Sequence, residues 1–246
     1  MRPAPVSPGH RVSLRGRDAA PPPGLPRDVR AATSALLARL TDLQNAFYAD
    51  ASKAMLIVVQ GRDASGKDAT IKAVCGAFNP QGCAVASFKV PSVTEAAHDY
   101  LWRVHRVAPA KRMIVVFNRS HYEDVLVARV RRLVPRAVWS KRYRQINEFE
   151  RTLSECGTAI VKICLHVSKA EQRRRLLERL TDSKKSWKFA EDDILARTHW
   201  DEYTRAYRDM LSPEDSCVSP MTNCQVSEKG LIRIAGPPYQ NTNIAS

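Results

Sequence analysis

The fold turns on one stretch, Met55-Leu-Ile-Val-Val-Gln-Gly-Arg-Asp-Ala-Ser-Gly-Lys-Asp-Ala-Thr70. It opens as an apolar run rich in β-branched residues, the composition of a buried strand. The run stops at Gly61, and Gly66-Lys67 follow at the spacing G-x-x-x-x-G-K, the pattern of a phosphate-binding loop between a strand and a helix. Glycines let the backbone turn tightly so that its N–H groups converge on phosphate oxygens, including those of Ala64, Ser65 and Gly66. The helix beyond presents its positive end at the same point. Lys67 adds a mobile charge. Asp68 stands where such loops usually carry the Ser or Thr that holds Mg²⁺. Asp63 puts an acid inside the loop, where it adds repulsion unless a metal or an acceptor group uses it.

Outward from this stretch, strands and helices alternate. Asp28 caps a helix running to Tyr48, with Leu36, Leu37, Leu40, Leu43 and Phe47 at helical spacing. A helix over 67–77, a strand over 84–89 and a helix over 92–105 follow, the last opened by the capping-box pattern Ser92-x-x-Glu95. Residues 112–117 read as a third strand, 122–133 and 138–155 as helices, and 159–167 as a fourth strand. Ser168-x-x-Glu171 opens an Arg-rich helix to about Leu180, and a last helix lies near 190–211. The alternation predicts an α/β fold, a parallel sheet with helices on both faces. Residues 1–27, rich in Pro, Arg and Gly, read as a flexible leader, and 28–211 as the domain. Residues 212–246 read as a tail of loop character, Thr222-Asn-Cys-Gln225 included, with 231–235 as one weak strand.

The chain has 246 residues, 44% of them hydrophobic, enough for a substantial core. No apolar run reaches the length of a membrane span. The start of the chain lacks an apolar signal core, and its prolines argue against an amphipathic transit helix. Six cysteines without C-x-x-C spacing fit a reduced, cytoplasmic protein, with four of them read as small core residues. The net charge of +14 calls for a polyanionic partner. Seven basic residues and no acid lie between Arg129 and Arg144. Seven more lie between Arg173 and Lys188, against Glu178 and Asp182. Each cluster reads as a solvated helix face or as an anion channel. Nucleic acid is disfavoured, since stacking platforms interleave more aromatics than the single Trp187 here.

In an open α/β sheet ligands gather at the carboxyl ends of the strands. That edge would hold 61–68, Lys89 and the run Asn118-Arg-Ser-His-Tyr-Glu-Asp124. Phosphoryl transfer needs cations to neutralise developing charge and carboxylates to hold Mg²⁺ or position the acceptor. Lys67, Lys89 and Arg119 are candidates for the first, and Asp63, Asp68, Glu123 and Asp124 for the second. Two readings stay open for Glu123, which also completes a capping box with Ser120, and for Asp124, which also complements a helix dipole. His105 and His121 read as polar surface residues, since no metal-ligand spacing surrounds them.

The segments G-R-D-A-S-G-K-D (61–68), F-N-R-S-H-Y-E-D-V-L-V (117–127) and S-W-K-F (186–189) closely resemble polyphosphate kinase family 2, the polyphosphate-dependent nucleotide kinases. F-K-V-P-S (88–92), D-Y-L-W-R-V-H (99–105) and W-D-E-Y-T-R-A-Y (200–207) extend the likeness over roughly residues 28 to 211. The resemblance implies a P-loop kinase fold, a Mg²⁺ requirement and a helical lid, here about 173–199, over a basic polyphosphate channel. It implies that Asp63, Lys67 and Arg119 act in catalysis. Gly61, Ala64, Ser65, Gly66, Asp68, Arg175, Arg179, Lys185 and Lys188 would bind phosphate, and Lys89, Arg103, Asn118, Tyr122 and Glu123 the nucleotide. Asp63 and Asp124 would hold the metal. The N-R-S-H-Y-E-D form resembles the subgroup that phosphorylates both AMP and ADP. Inorganic polyphosphate and AMP, ADP or ATP are the implied partners, with GDP and GTP as further candidates, no membrane, and a homo-oligomer. The alternatives are an ATP-dependent P-loop nucleotide kinase and an inactive polyanion-binding relative. Family members continue after the last helix into a further strand and a closing helix, neither of which 212–246 shows by sequence.

Overall fold

The computed structural model describes residues 12–19, 26–183, 186–211 and 222–225. In chain order these form α1 (Val29–Asp50), β1 (Ala54–Gly61), α2 (Lys67–Cys75), β2 (Cys83–Ser87), α3 (Val93–Ala96), α4 (Trp102–His105), β3 (Ile114–Asn118), α5 (Glu123–Val130), α6 (Arg136–Glu155), β4 (Thr158–His166), α7 (Lys169–Thr181), α8 (Glu191–Thr198), α9 (Trp200–Leu211) and β5 (Thr222–Gln225). The strands make one parallel sheet in the order β2-β3-β1-β4-β5. Val59 is in register with Asn118 and Gly61 with Leu165, so the loops after β1, β3 and β4 leave from one edge.

The period of two along β1 sorts its side chains between two cores. Leu56 and Val58 join Phe117, Leu126, Ile146, Phe149 and Met210 under α5, α6 and α9. Val59 joins Ile71, Phe78, Val116 and Ile163 on the opposite face, with Leu40 and Phe47 of α1 against it. Burying one such side chain contributes about 1.5–3 kcal/mol. The Asp28 carboxylate accepts from the Ala31 amide at 2.9 Å and starts α1 as read. The Ser92/Glu95 capping box is formed in both directions.

The structure corrects the sequence reading in several places. The helix expected over 92–105 is two single turns, α3 and α4. Asp99 interrupts it by accepting from the amides of Leu101 and Trp102, an Asx turn that competes with helix continuation. The helix expected near 190–211 divides at His199 into α8 and α9. Thr222–Gln225, read as loop, is a fifth strand pairing with β4 from Ile163 to His166. Its low propensity is overridden by the row of N–H and C=O groups that β4 would otherwise leave unpaired. The 231–235 strand lies outside the described residues. Part of the leader is also packed: Leu14 is buried in the first core, and the Arg15 carbonyl lies 3.1 Å from His166 Nε2. Of Cys75, Cys83, Cys156 and Cys164, only Cys164 is buried, with Cys75 and Cys83 half-buried and Cys156 exposed. No helix among the described residues is long and apolar enough to cross a membrane.

Candidate active site

The loop after β1 is shaped by close approach. A Cβ on Gly61 would stand 2.7 Å from the Leu165 carbonyl oxygen and 2.7 Å from Ser65 Oγ, so only glycine fits there. Gly66 caps α2 at φ 102, a left-handed conformation that aims the first α2 amides into the turn. Ser65 is fully buried, and its Oγ lacks a hydrogen-bond partner. Lys67 is buried across the loop's mouth, donating to the carbonyl oxygens of Gly61 at 2.6 Å and Arg62 at 2.9 Å. Burial lowers its pKa below the ordinary lysine value, with Asp63 acting in the opposite direction.

The loop after β3 supplies the facing wall. Arg119 sits at φ 64, its amide bonded to the Val59 carbonyl at 3.1 Å, and reaches over the phosphate loop. Its guanidinium bridges two carboxylates, Asp63 Oδ1 at 2.6 Å and Glu123 Oε2 at 3.5 Å. Burial opposes the charge on Arg119, but Glu123 and Asp63 outweigh it and raise its pKa. Glu123 accepts a close hydrogen bond from Gln60 Nε2, and burial raises its pKa against the pull of Arg119 and Lys67. The capping-box reading of Glu123 therefore fails. Ser120 Oγ bonds Gln60 instead, and Glu123 turns toward the loop.

Asp63, Lys89, Arg103, Arg119, Glu123 and Asp124 line one cavity of about 220 Å³ at the sheet edge. Arg103 crosses its side, donating to the Lys89 carbonyl at 2.8 Å and to Asp124 Oδ2 at 3.0 Å. Asn118 and Asp68 lie outside that lining and bond each other at 3.0 Å. Tyr122 and His121 also turn away. His121 is fully buried rather than on the surface, because its ring sits against Tyr122 and Phe149 with Nε2 on Glu150. The Arg-rich helix α7 leans on the loop's main chain. Arg175 donates to the Ala64 carbonyl at 3.1 Å and pairs with Glu171, and Arg179 pairs with Asp193 of α8 at 3.2 Å. Lys185 and the Lys188 side chain lie outside the described residues.

Three contributors were missed by sequence reasoning. Arg62 also lines the cavity, stacking on Trp200 at 3.8 Å and donating to Thr204 Oγ1 at 2.6 Å, so it anchors the loop to α9. Gln172 donates to the Asp63 carbonyl at 2.9 Å. Gln60 was signalled only as a lone polar residue closing an apolar strand.

The donor set suits a hard divalent cation carried by phosphates. Asp63, Glu123 and Asp124 offer carboxylate oxygens to one cavity, yet no group of three or more ligating side chains closes on a single point among the described residues. Mg²⁺ is held this way, by one or two carboxylates with the rest of its shell from water and substrate.

A family model described as Polyphosphate kinase 2 (PPK2) matches residues 26–236, past the point where the sequence likeness was expected to stop. An AMP/ADP-polyphosphate phosphotransferase of Meiothermus ruber is 54% identical over 176 residues, which is 72% of this chain and 66% of that protein. An ADP-polyphosphate phosphotransferase of Rhodopseudomonas palustris is 44% identical over 208 residues, covering 80% of this chain and 72% of that protein. The crystal structure of Polyphosphate Kinase 2 from Arthrobacter aurescens TC1 shares 37% identity at a TM-score of 0.83, covering 93% of this chain and 86% of that one. The chain thus spans about two thirds of the length of the first of these relatives and somewhat more of the others. The match runs through the loop after β1, the loop after β3 and the strand β5 alike, and the chain belongs to the polyphosphate kinase 2 family.

Proposed function

We propose that this chain transfers a terminal phosphoryl group between inorganic polyphosphate and purine nucleotides, converting AMP and ADP to ADP and ATP. The observation that carries the reading is the Arg119 guanidinium set over the phosphate loop between Asp63 and Glu123, with Lys67 buried beneath. A phosphoryl group in flight spreads charge over its oxygens, and catalysis consists largely of positioning and neutralisation. The loop amides and the α2 N-terminus would hold the phosphate chain, with Lys67 turning from its carbonyl partners to the phosphate. Arg119 would stabilise the transferring group in line. Asp63 and Asp124, with Glu123, would hold Mg²⁺, which when bound neutralises phosphate oxygens. Lys89, Arg103, Asn118 and Tyr122 are proposed on the nucleotide side, Tyr122 through its main chain given the burial of its ring. Gly61, Ala64, Ser65, Gly66, Asp68, Arg175, Arg179, Lys185 and Lys188 are proposed on the polyphosphate side. The AMP/ADP name of the Meiothermus ruber relative supports the choice of acceptors. A cytoplasmic homo-oligomer is part of the same proposal.

The test is ATP formation from AMP or ADP with polyphosphate and Mg²⁺. Folded protein that makes none refutes the reading. An ATP-dependent kinase would instead need ATP as donor and tolerate Lys185→Ala and Lys188→Ala.

A further inference from the structure

Between Arg119 and Glu123, which enter the cavity, stand three residues that do not, Ser120, His121 and Tyr122. His121 and Tyr122 point inward, and both meet one carboxylate. Glu150 Oε1 lies 3.1 Å from His121 Nε2 and accepts from the Tyr122 hydroxyl at 2.9 Å. Its other oxygen accepts from Lys162 Nζ at 2.8 Å, and Lys162 also reaches the Tyr122 hydroxyl at 3.3 Å. Exposure is 0% for His121 and Glu150 and 4% for Tyr122 and Lys162. The group joins three separate elements: the turn before α5, the inward face of α6, and the middle of β4.

A buried ion pair is a poor stabiliser. Desolvating both charges offsets most of their attraction, and well-packed apolar residues commonly do as well or better. What the pair supplies is a fixed acceptor. Burial works against the Glu150 charge, but Lys162 and the His121 bond prevail and hold its pKa down at about 2, so the carboxylate stays ionised. A permanent anion with two aimed lone pairs pins a loop in a way that apolar packing cannot, since packing does not dictate direction.

We infer that Glu150 is a positioning residue: by holding His121 and Tyr122 together it fixes the turn that presents Arg119 and Glu123 to the phosphate loop. Lys162 keeps the carboxylate charged. This inference rests on the proposed phosphotransferase reading for its kinetic consequence, but its structural consequence stands apart from it.

Two double variants separate the anchor from the charge pair. Glu150→Gln with Lys162→Met removes both charges and keeps an oxygen acceptor for Tyr122 and His121. Glu150→Leu with Lys162→Met removes the acceptor as well. The Gln/Met variant is expected to melt near wild type, and the Leu/Met variant, which leaves the buried His121 Nε2 and Tyr122 hydroxyl without their partner, to melt lower. The Gln/Met variant should keep kcat within about three-fold. The Leu/Met variant should lose about ten-fold or more in kcat with KM for ADP within about two-fold, because misplacement falls on the reacting geometry. Amide exchange over residues 118–124 should quicken in the Leu/Met variant alone. Equal kcat and equal exchange in the two overturns the inference. Should the Leu/Met protein not fold, Tyr122→Phe removes one of the two anchors without disturbing the charges. It should lower kcat about three-fold or more and quicken the same exchange; no change in either also overturns it. A wild type that makes no ATP refutes the phosphotransferase reading, and the exchange contrast still decides this one.

Discussion

Replacing Arg119 with Met removes the charge that joins the two walls of the site while keeping much of the side chain's length. Its ion pairs are partly open to solvent: 41% exposure for Arg119 against 27% for Asp63 and 14% for Glu123. Screened pairs of this kind contribute about 0–1 kcal/mol each. The expected change in Tm is therefore only a few degrees, at about 2–4 °C per kcal/mol for a chain of this size. The kinetic loss is larger. Removing one preorganised donor from a developing charge costs about 10²–10³ in kcat, about 2.7–4 kcal/mol. Arginines acting on a transferring phosphoryl group reach about 10³–10⁵, and the partial exposure of Arg119 puts it at the lower end. Two carboxylates are also left without their cation, so the Glu123 pKa, already raised by burial, rises further. The acid limb of the kcat profile should then move to higher pH. Arg119→Lys keeps the charge but cannot span both carboxylates, and should retain about a tenth of the activity. Coupled detection of ATP from ADP and polyphosphate reads kcat and KM, and a melt checks the fold. A folded Arg119→Met enzyme with kcat within about three-fold of wild type would refute the role given to this residue.

Three further outcomes are expected. Because burial lowers the Lys67 pKa, the alkaline limb of kcat/KM, which reports the free enzyme, should fall below the ordinary lysine range; a limb at or above that range counts against Lys67 as the charge on the phosphate. Gly61→Ala places a methyl against the Leu165 carbonyl at 2.7 Å, and should destabilise by about 1–3 kcal/mol in denaturant unfolding. A chelator should abolish turnover, reversibly with Mg²⁺, while Tm without substrate stays put, since no cage of protein ligands closes among the described residues; a chelator-induced fall in Tm would point to a resident structural ion.

The parts of this molecule legible in the sequence are those set by short-range rules. The β1 run, the phosphate loop and the capping residues Asp28, Ser92 and Ser168 each declare themselves within a few residues, and all stand where expected. At Asp99 two local rules compete, and the carboxylate breaks a helix by accepting from the amides of Leu101 and Trp102. The rest of what sequence could not show depends on partners distant along the chain. β5 exists because β4 offers it an edge about sixty residues away in sequence. In the site, Asp63, Lys67, Arg119 and Glu123 converge as their spacing suggested. The inward turn of His121 and the stacking of Arg62 are set by Glu150 and Trp200, which no local pattern links to them.

The left-handed backbone of Arg119 has a consequence for anyone who would make this protein more robust. At φ 64 a residue with a Cβ carries about 1–2 kcal/mol of conformational cost that glycine would not. A search guided by thermostability alone would therefore favour glycine at position 119, and would discard the guanidinium over the phosphate loop. If Arg119 acts as proposed, that strain is a stability cost carried for catalysis.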